Sequence, residues 1–210
     1  MIPSVASLRR ELRSRRRSLS PSTQRQHAQR VAARILSLPG IARARRIALY
    51  VAADGELDPT PIRKRLARAG LHWYLPVITS CSPPRLAFHA DRTPRRRRPN
   101  AFGIPEPPHR RQAAVKLLAL DVVLLPLVGF DAHCQRIGMG LGFYDRRFGD
   151  IRSRVHWHRR PRLIGLAHEC QRLESIHAKP WDVALDAVIT EAGLYRCGAD
   201  QERTNARVES

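Results

Sequence analysis

Apolar positions recur at helical spacing along the first 40 residues. Leu8 and Leu12 stand four apart in a polar, arginine-rich stretch, and Ala28, Val31, Ala32 and Ile35 follow at i, i+3, i+4, i+7. That is the buried stripe of an amphipathic helix. Ser20-Pro21 supplies an N-cap with proline at the first helical position, and Pro39-Gly40 stops the pattern. From Ile47 the texture changes. Ile47-Ala48-Leu49-Tyr50-Val51 reads as a strand ended by Asp54-Gly55, Pro61 to Ala69 as a helix, and Trp73 to Val77 as the next strand. Strand, helix, strand at this spacing predicts a βαβ unit in a largely parallel sheet. Leu86 to His89 adds a further strand candidate.

Residues 92–112 interrupt this pattern with the run Arg95 to Arg98 and a Pro-rich stretch, read as a solvated surface loop. Val122-Val123-Leu124-Leu125 is the most hydrophobic strand candidate and is expected to lie centrally, covered on both faces. A helix from about Tyr144 and strands at Leu163 to Ala167 and Ala187 to Ile189 complete the expectation. Residues 1–196 are expected to form one α/β domain with a helical N-terminal segment, and residues 197–210 a polar tail.

At 210 residues with 43% hydrophobic content, the chain has material for a real core. Its longest nearly apolar run, Leu117 to Phe130, is too short to span a membrane and carries Asp121. No apolar segment precedes the arginines that begin at Arg9, so a cytoplasmic location is expected; a monomer with no membrane partner is expected as well. Thirty-eight basic residues against 18 acidic ones leave +20, and only Lys64, Lys116 and Lys179 are lysines. Such an excess implies anionic partners, or else arginine spread diffusely over the surface without a target. Cys81, Cys134, Cys170 and Cys197 form no C-x-x-C pair and are expected to be reduced thiols. His168-x-Cys170 is a two-ligand fragment and by itself weak evidence for a metal.

The chemistry is concentrated in Arg136-Ile137-Gly138-Met139-Gly140-Leu141-Gly142-Phe143-Tyr144-Asp145. Alternate glycines between a strand and a helix let backbone N–H groups and a helix N-terminus approach a phosphate. No Gly-Lys-Ser/Thr follows, which excludes a Walker A loop, and the spacing is not that of a dinucleotide fold. Arg136 before the loop offers a cation, and Asp145 after it a carboxylate able to hold Mg²⁺.

This stretch resembles the signature of the 5-formyltetrahydrofolate cyclo-ligase family, also called methenyltetrahydrofolate synthetases. Leu8-Arg9, Asp54 to Asp58, Glu106-Pro107, Gly165 to Gln171 and Trp181-Asp182 agree in order and spacing. The resemblance implies an α/β/α three-layer sandwich with a largely parallel sheet, related to ribose-5-phosphate isomerase and CoA-transferase folds. It implies ATP- and Mg²⁺-dependent closure of 5-formyltetrahydrofolate to 5,10-methenyltetrahydrofolate; the lack of helix-turn-helix, zinc-finger or RNP-like patterns leaves no specific nucleic-acid partner expected. By position, Arg9, Arg136, Ile137, Gly138, Met139, Gly140, Leu141, Gly142, Phe143 and Tyr144 match ATP-binding segments. Val51 and Glu56 match folate positions, as do Met139 to Phe143 (Met139, Gly140, Leu141, Gly142, Phe143). Asp145 and Asp182 match Mg²⁺ ligands, and Arg136, Tyr144 and Asp145 are the residues expected to carry catalysis. Three positions depart from the family pattern: Val5 where a lysine is usual, Leu141 where glycine or lysine is common, and Phe143 for tyrosine. Two other readings are an arginine-rich nucleic-acid-binding protein and a folate-binding homologue with little turnover.

Overall fold

A computed structural model describes residues 4–108, 113–152 and 160–197. Two helices open the chain. Helix α1 (Val5–Arg17) starts at Ser4, whose hydroxyl accepts from Ser7 N, and α2 (Pro21–Arg34) starts at Ser20, which accepts from Thr23 N. The second cap and its Pro21 follow the expectation. The last turn of α1 carries Arg15, Arg16 and Arg17, the favourable sign at a helix C-terminus. A short 3₁₀ turn (Ile35–Ser37) then ends α2 ahead of Pro39-Gly40.

The core is a seven-stranded sheet in the order β11-β10-β9-β6-β1-β2-β3. Strands β1 (Arg46–Ala48), β2 (His72–Cys81), β6 (Val122–Pro126), β9 (Arg162–Leu166) and β10 (Ala187–Ile189) pair in parallel. The edges β3 (Pro84–Ala90) and β11 (Leu194–Arg196) are antiparallel. Helix α3 (Thr60–Arg65) makes the β1–β2 crossover, so the expected βαβ unit is present. As expected, β6 lies in the middle, with Val122 and Leu124 packed into one apolar layer and Val123 and Leu125 into the other. The first layer contains Val31, Ala32 and Ile35 with Ile62, and therefore α2 and α3. The second contains Phe148 of helix α4 (Phe143–Arg152). Helices thus cover both faces. Among the described helices, none is long and apolar enough to cross a membrane.

Several boundaries differ from expectation. The strand expected over 47–51 pairs regularly only to Ala48; Leu49 N still bonds Tyr74 O at 3.0 Å before the chain turns off the sheet. The Tyr50 hydroxyl donates to Leu57 O at 2.5 Å and folds the following loop back on itself. The helix expected to reach Ala69 ends at Arg65. Within 92–108, β4 (Arg98–Pro99) pairs with β5 (Pro105–Glu106), and Arg97 bonds the buried Asp91 carboxylate together with Arg63. The arginine run is therefore not solvated throughout. Residues 109–112 and 198–210, including most of the expected tail, lie outside the described residues.

The cysteine reading needs correction. Cys134 and Cys197 form a disulfide, while Cys81 and Cys170 are free. Folding brings the pair together across 63 residues, because Leu185 N bonds Cys134 O and Cys197 N bonds Asp186 O, each at 3.1 Å. Spacing along the chain carries no trace of that proximity.

Topology fixes where a ligand can bind. From β1 the chain moves outward to β2 and β3, then returns to the other side of β1 as β6 and moves away through β9 and β10. The direction of winding reverses between β1 and β6, and the crevice beyond the strand ends at such a point is the usual binding position.

Candidate active site

A cleft of ≈ 1810 Å³ opens at that position. Its walls come from α1, the loop after β1, the segment 100–106, the glycine-rich turn, and the segment 173–182. Every residue singled out in the sequence as a site candidate, including Val51, Glu56, Arg9, Arg136 to Asp145, and Asp182, lines it. Val5, the departure from the usual lysine, lines it too and is half exposed.

The glycine-rich turn runs between β8 (Arg136–Ile137), which pairs with β7 (Gly129–Phe130), and α4. Gly140 has φ +98° and Gly142 φ +70°, conformations that side-chain-bearing residues rarely adopt. Gly142 O accepts from Arg146 N at 3.0 Å, so the helix begins as the turn ends. Arg9 reaches across from α1: its Nε donates to Gly138 O at 2.8 Å. Its guanidinium lies over Gly140, where an added Cβ would stand 3.2 Å from Cζ. Helix α1 can approach this closely because Leu12 packs on Gly129, where a Cβ would meet the leucine at 2.6 Å. Backbone amides, a guanidinium and a helix N-terminus thus share one small surface, an arrangement that attracts anions. Met139 and Leu141 are half exposed.

Arg136 and Asp145 are closer partners than the sequence implied. The buried Arg136 guanidinium bonds Asp145 Oδ1, and the same oxygen accepts a long contact from Val183 N at 3.4 Å. Arg136 Nε is buried and has no hydrogen-bond partner among the described residues. Asp182 immediately precedes Val183, and its Oδ2 accepts from Lys179 N at 2.9 Å. Tyr144 stacks on Phe148 with ring centroids 5.9 Å apart. Burial, then the charge of Glu56, raise the Tyr144 phenol's pKa, so it remains a neutral hydroxyl.

The opposite wall is carboxylate-bearing. Glu56 Oε2 accepts from Ala53 N at 3.1 Å, and Oε1 lies 3.8 Å from Arg16 Nη2. Burial pushes the Glu56 carboxyl up, against the pull of Arg16 and the Ala53 N–H. After burial, its charge is the next cause that raises the Tyr50 and Tyr144 phenols. Val51 is partly buried and also packs against the core layer of α2 and α3, so it has a structural role as well as a place in the cleft.

Sequence reasoning missed the support behind this wall. Asp54, at φ +54°, accepts from Arg13 Nε at 2.8 Å, Arg16 Nη2 at 3.0 Å, and Arg17. Arg16 is fully buried and also donates to Asp54 O at 2.9 Å and Leu127 O at 3.1 Å. Nothing in an arginine-rich helix distinguishes Arg16 except its place on the Leu12 side of α1, four residues on. Glu106 is likewise structural: its Oε1 accepts from Ile78 N at 2.9 Å and Asn100 Nδ2 at 2.8 Å. Phe102 and Trp181, both exposed, add aromatic faces to the cleft rim.

With this geometry in place, comparison with known proteins decides the family. A sequence profile described as the 5-formyltetrahydrofolate cyclo-ligase family matches residues 2–191. The chain belongs to this family. The 5-formyltetrahydrofolate cyclo-ligase of Escherichia coli (strain K12) is 36% identical over 184 residues, 88% of this chain and 98% of its own length. That of Haemophilus influenzae is 35% identical over 181 residues, covering 85% and 92%. The NMR structure of Aquifex aeolicus 5,10-methenyltetrahydrofolate synthetase superposes with a TM-score of 0.74 at 27% identity, covering 91% of this chain and 92% of that one. Among cyclo-ligase family members, then, this chain carries the glycine-rich turn, Arg9 and Glu56 in one cleft.

Proposed function

We propose that this protein is an ATP-dependent 5-formyltetrahydrofolate cyclo-ligase, forming 5,10-methenyltetrahydrofolate, ADP and phosphate. The observation that carries the reading is a single cleft with two chemically opposite walls. One wall, Gly138 to Gly142 with Arg9 and the α4 N-terminus, suits polyphosphate; the other presents Glu56, suited to the N–H donors of a reduced pterin. Its ≈ 1810 Å³ exceeds the roughly 300–1,000 Å³ of a pocket for one small ligand, as a two-substrate enzyme needs.

The chemistry asks little covalent work of the protein. The formyl oxygen attacks the γ-phosphorus and ADP leaves, which turns a poor leaving oxygen into a phosphate ester. N10 then attacks the formyl carbon and gives up its proton, and phosphate departs to leave the methenyl bridge. Catalysis of both steps rests on positioning and on stabilising negative charge. Arg9 and the Arg136 guanidinium supply positive charge at the phosphate wall, while Tyr144 stays protonated and available to donate. Asp145 and Asp182 are hard-oxygen ligands beside the anion-binding turn, and they would hold Mg²⁺, which neutralises polyphosphate charge when bound. One feature fits this: among the described residues, the hydrogen bonds to Asp145 engage Oδ1.

The test is to incubate the protein with 5-formyltetrahydrofolate and MgATP while following methenyl absorbance and ADP. Absorbance that rises only with ATP present, with one ADP per methenyl group, is the expected result. A chain that binds folate but yields neither product would be a non-catalytic homologue instead.

A further inference from the structure

Outside the cleft, three ligand-type side chains converge from separate elements. His27 lies on α2, His168 follows β9, and Glu191 follows β10. His27 Nδ1 is 3.0 Å from His168 Nδ1 and 3.3 Å from Glu191 Oε1. All three ligand atoms fall within 4.8 Å of one another. His168 is fully buried, and the side chains of His27 and Glu191 are 13% and 11% exposed. A tetrahedral ion with bonds of about 2.0–2.1 Å to nitrogen and oxygen spaces its ligands roughly 3.3–3.4 Å apart. The two separations from His27 need only a small opening to admit one. His168-x-Cys170 was an incomplete fragment in the sequence; folding completes it with His27 and Glu191 rather than with the cysteine.

We propose that His27, His168 and Glu191 bind one divalent cation of the zinc class, clasping α2 to the ends of β9 and β10. Two imidazoles and one carboxylate suit a borderline cation with solvent as fourth ligand, whereas Mg²⁺ prefers an all-oxygen octahedron. The carboxylate is held from behind: its two oxygens accept from Glu169 N at 3.2 and 3.1 Å. Glu169 in turn accepts from the hydroxyls of Thr190 and Tyr195, each at 2.6 Å. Outer partners of this kind fix ligand orientation. The nearby cation Arg16 is already engaged by Asp54 and the Leu127 carbonyl. The competing arrangement is a single proton shared between the two imidazoles, balanced by Glu191, which binds no metal.

The experiment uses untagged full-length protein, stripped with chelator and titrated with Zn²⁺ or Co²⁺ in the absence of nucleotide and folate. Its outcome is therefore independent of the proposed ligase activity. One equivalent should bind, Co²⁺ should show the visible bands of a tetrahedral ion, and Zn²⁺ should raise Tm. His27→Gln and Glu191→Gln, at partly exposed positions and checked for folding by circular dichroism, should each weaken binding by at least about 10–100-fold, the loss seen even for outer-shell changes. No stoichiometric binding, or binding undiminished in both variants, overturns the proposal.

Discussion

Glu56 is the residue at which folate and nucleotide recognition separate. Phosphate needs donors and cations, so a partly buried carboxylate in the same cleft serves the other substrate. Glu56→Gln keeps an acceptor but removes the charge that strengthens a bond from a pterin N–H. Folate binding should weaken by about 1.5–3 kcal/mol with little change for ATP, measured by titrating each ligand separately. A loss confined to ATP would assign Glu56 to the nucleotide. Asp145 and Asp182 separate in a second way. Asp145→Asn leaves the buried Arg136 without its counter-ion, so Tm should fall even in metal-free buffer, alongside a roughly 100–1,000-fold loss of turnover. Asp182→Asn retains an acceptor for Lys179 N, and should raise the Mg²⁺ concentration needed for half-maximal rate. Unchanged Mg²⁺ dependence in the second variant removes Asp182 from the metal assignment.

Helix α1 is the element that completes the phosphate wall, and Asp54 is what holds it in register. Partial burial alone would raise the Asp54 pKa, but hydrogen bonds from Arg13, Arg17 and Arg16 outweigh it and bring it from 3.8 to about 2. The folded-state value is depressed, so the stabilisation is complete above the unfolded value and is lost as pH falls from about 5 towards 2. Asp54 is partly solvent-exposed, and after screening the contribution is about 1–2 kcal/mol. Asp54→Asn should therefore flatten this limb of the stability–pH curve, read by denaturant melts, and raise the KM for ATP as Arg9 loses its anchorage. A variant with wild-type acid sensitivity would mean that other carboxylates set the limb. This link was invisible in the sequence, where Asp54-Gly55 read as a strand end and as part of a family motif. The element that carries it, α1, was legible only from Leu8 and Leu12.

At the scale of the molecule, the +20 charge resolves into two populations. Some arginines have defined internal work: Arg16 is buried, Arg63 and Arg97 share Asp91, and Arg160 bonds both oxygens of Asp186. Others, such as Arg95 and Arg96, are exposed on a loop. A diffuse cationic surface attracts nucleic acid without reading its sequence. Fluorescence anisotropy at physiological salt should give DNA or RNA dissociation constants no tighter than about 10⁻⁶ M, weakening steeply as salt rises. A tight, sequence-selective complex would instead favour the arginine-rich nucleic-acid-binding reading.

Periodicity alone determined α2 and its cap, the parallel βαβ core, and the central place of β6, because these rest on local spacing and on burial of both faces of one strand. The glycine-rich turn was equally legible, since positive φ at Gly140 and Gly142 is a local demand. What only the tertiary structure decided were pairings between residues far apart in the chain. Arg9 on Gly138, Arg16 on Asp54, Cys134 with Cys197, and His27 with His168 and Glu191 are all of this kind. Each partner is selected by which ends of β1, β6, β9 and β10 the sheet order brings together. Local pattern specifies the elements; the order of strands in the sheet specifies which of their side chains meet.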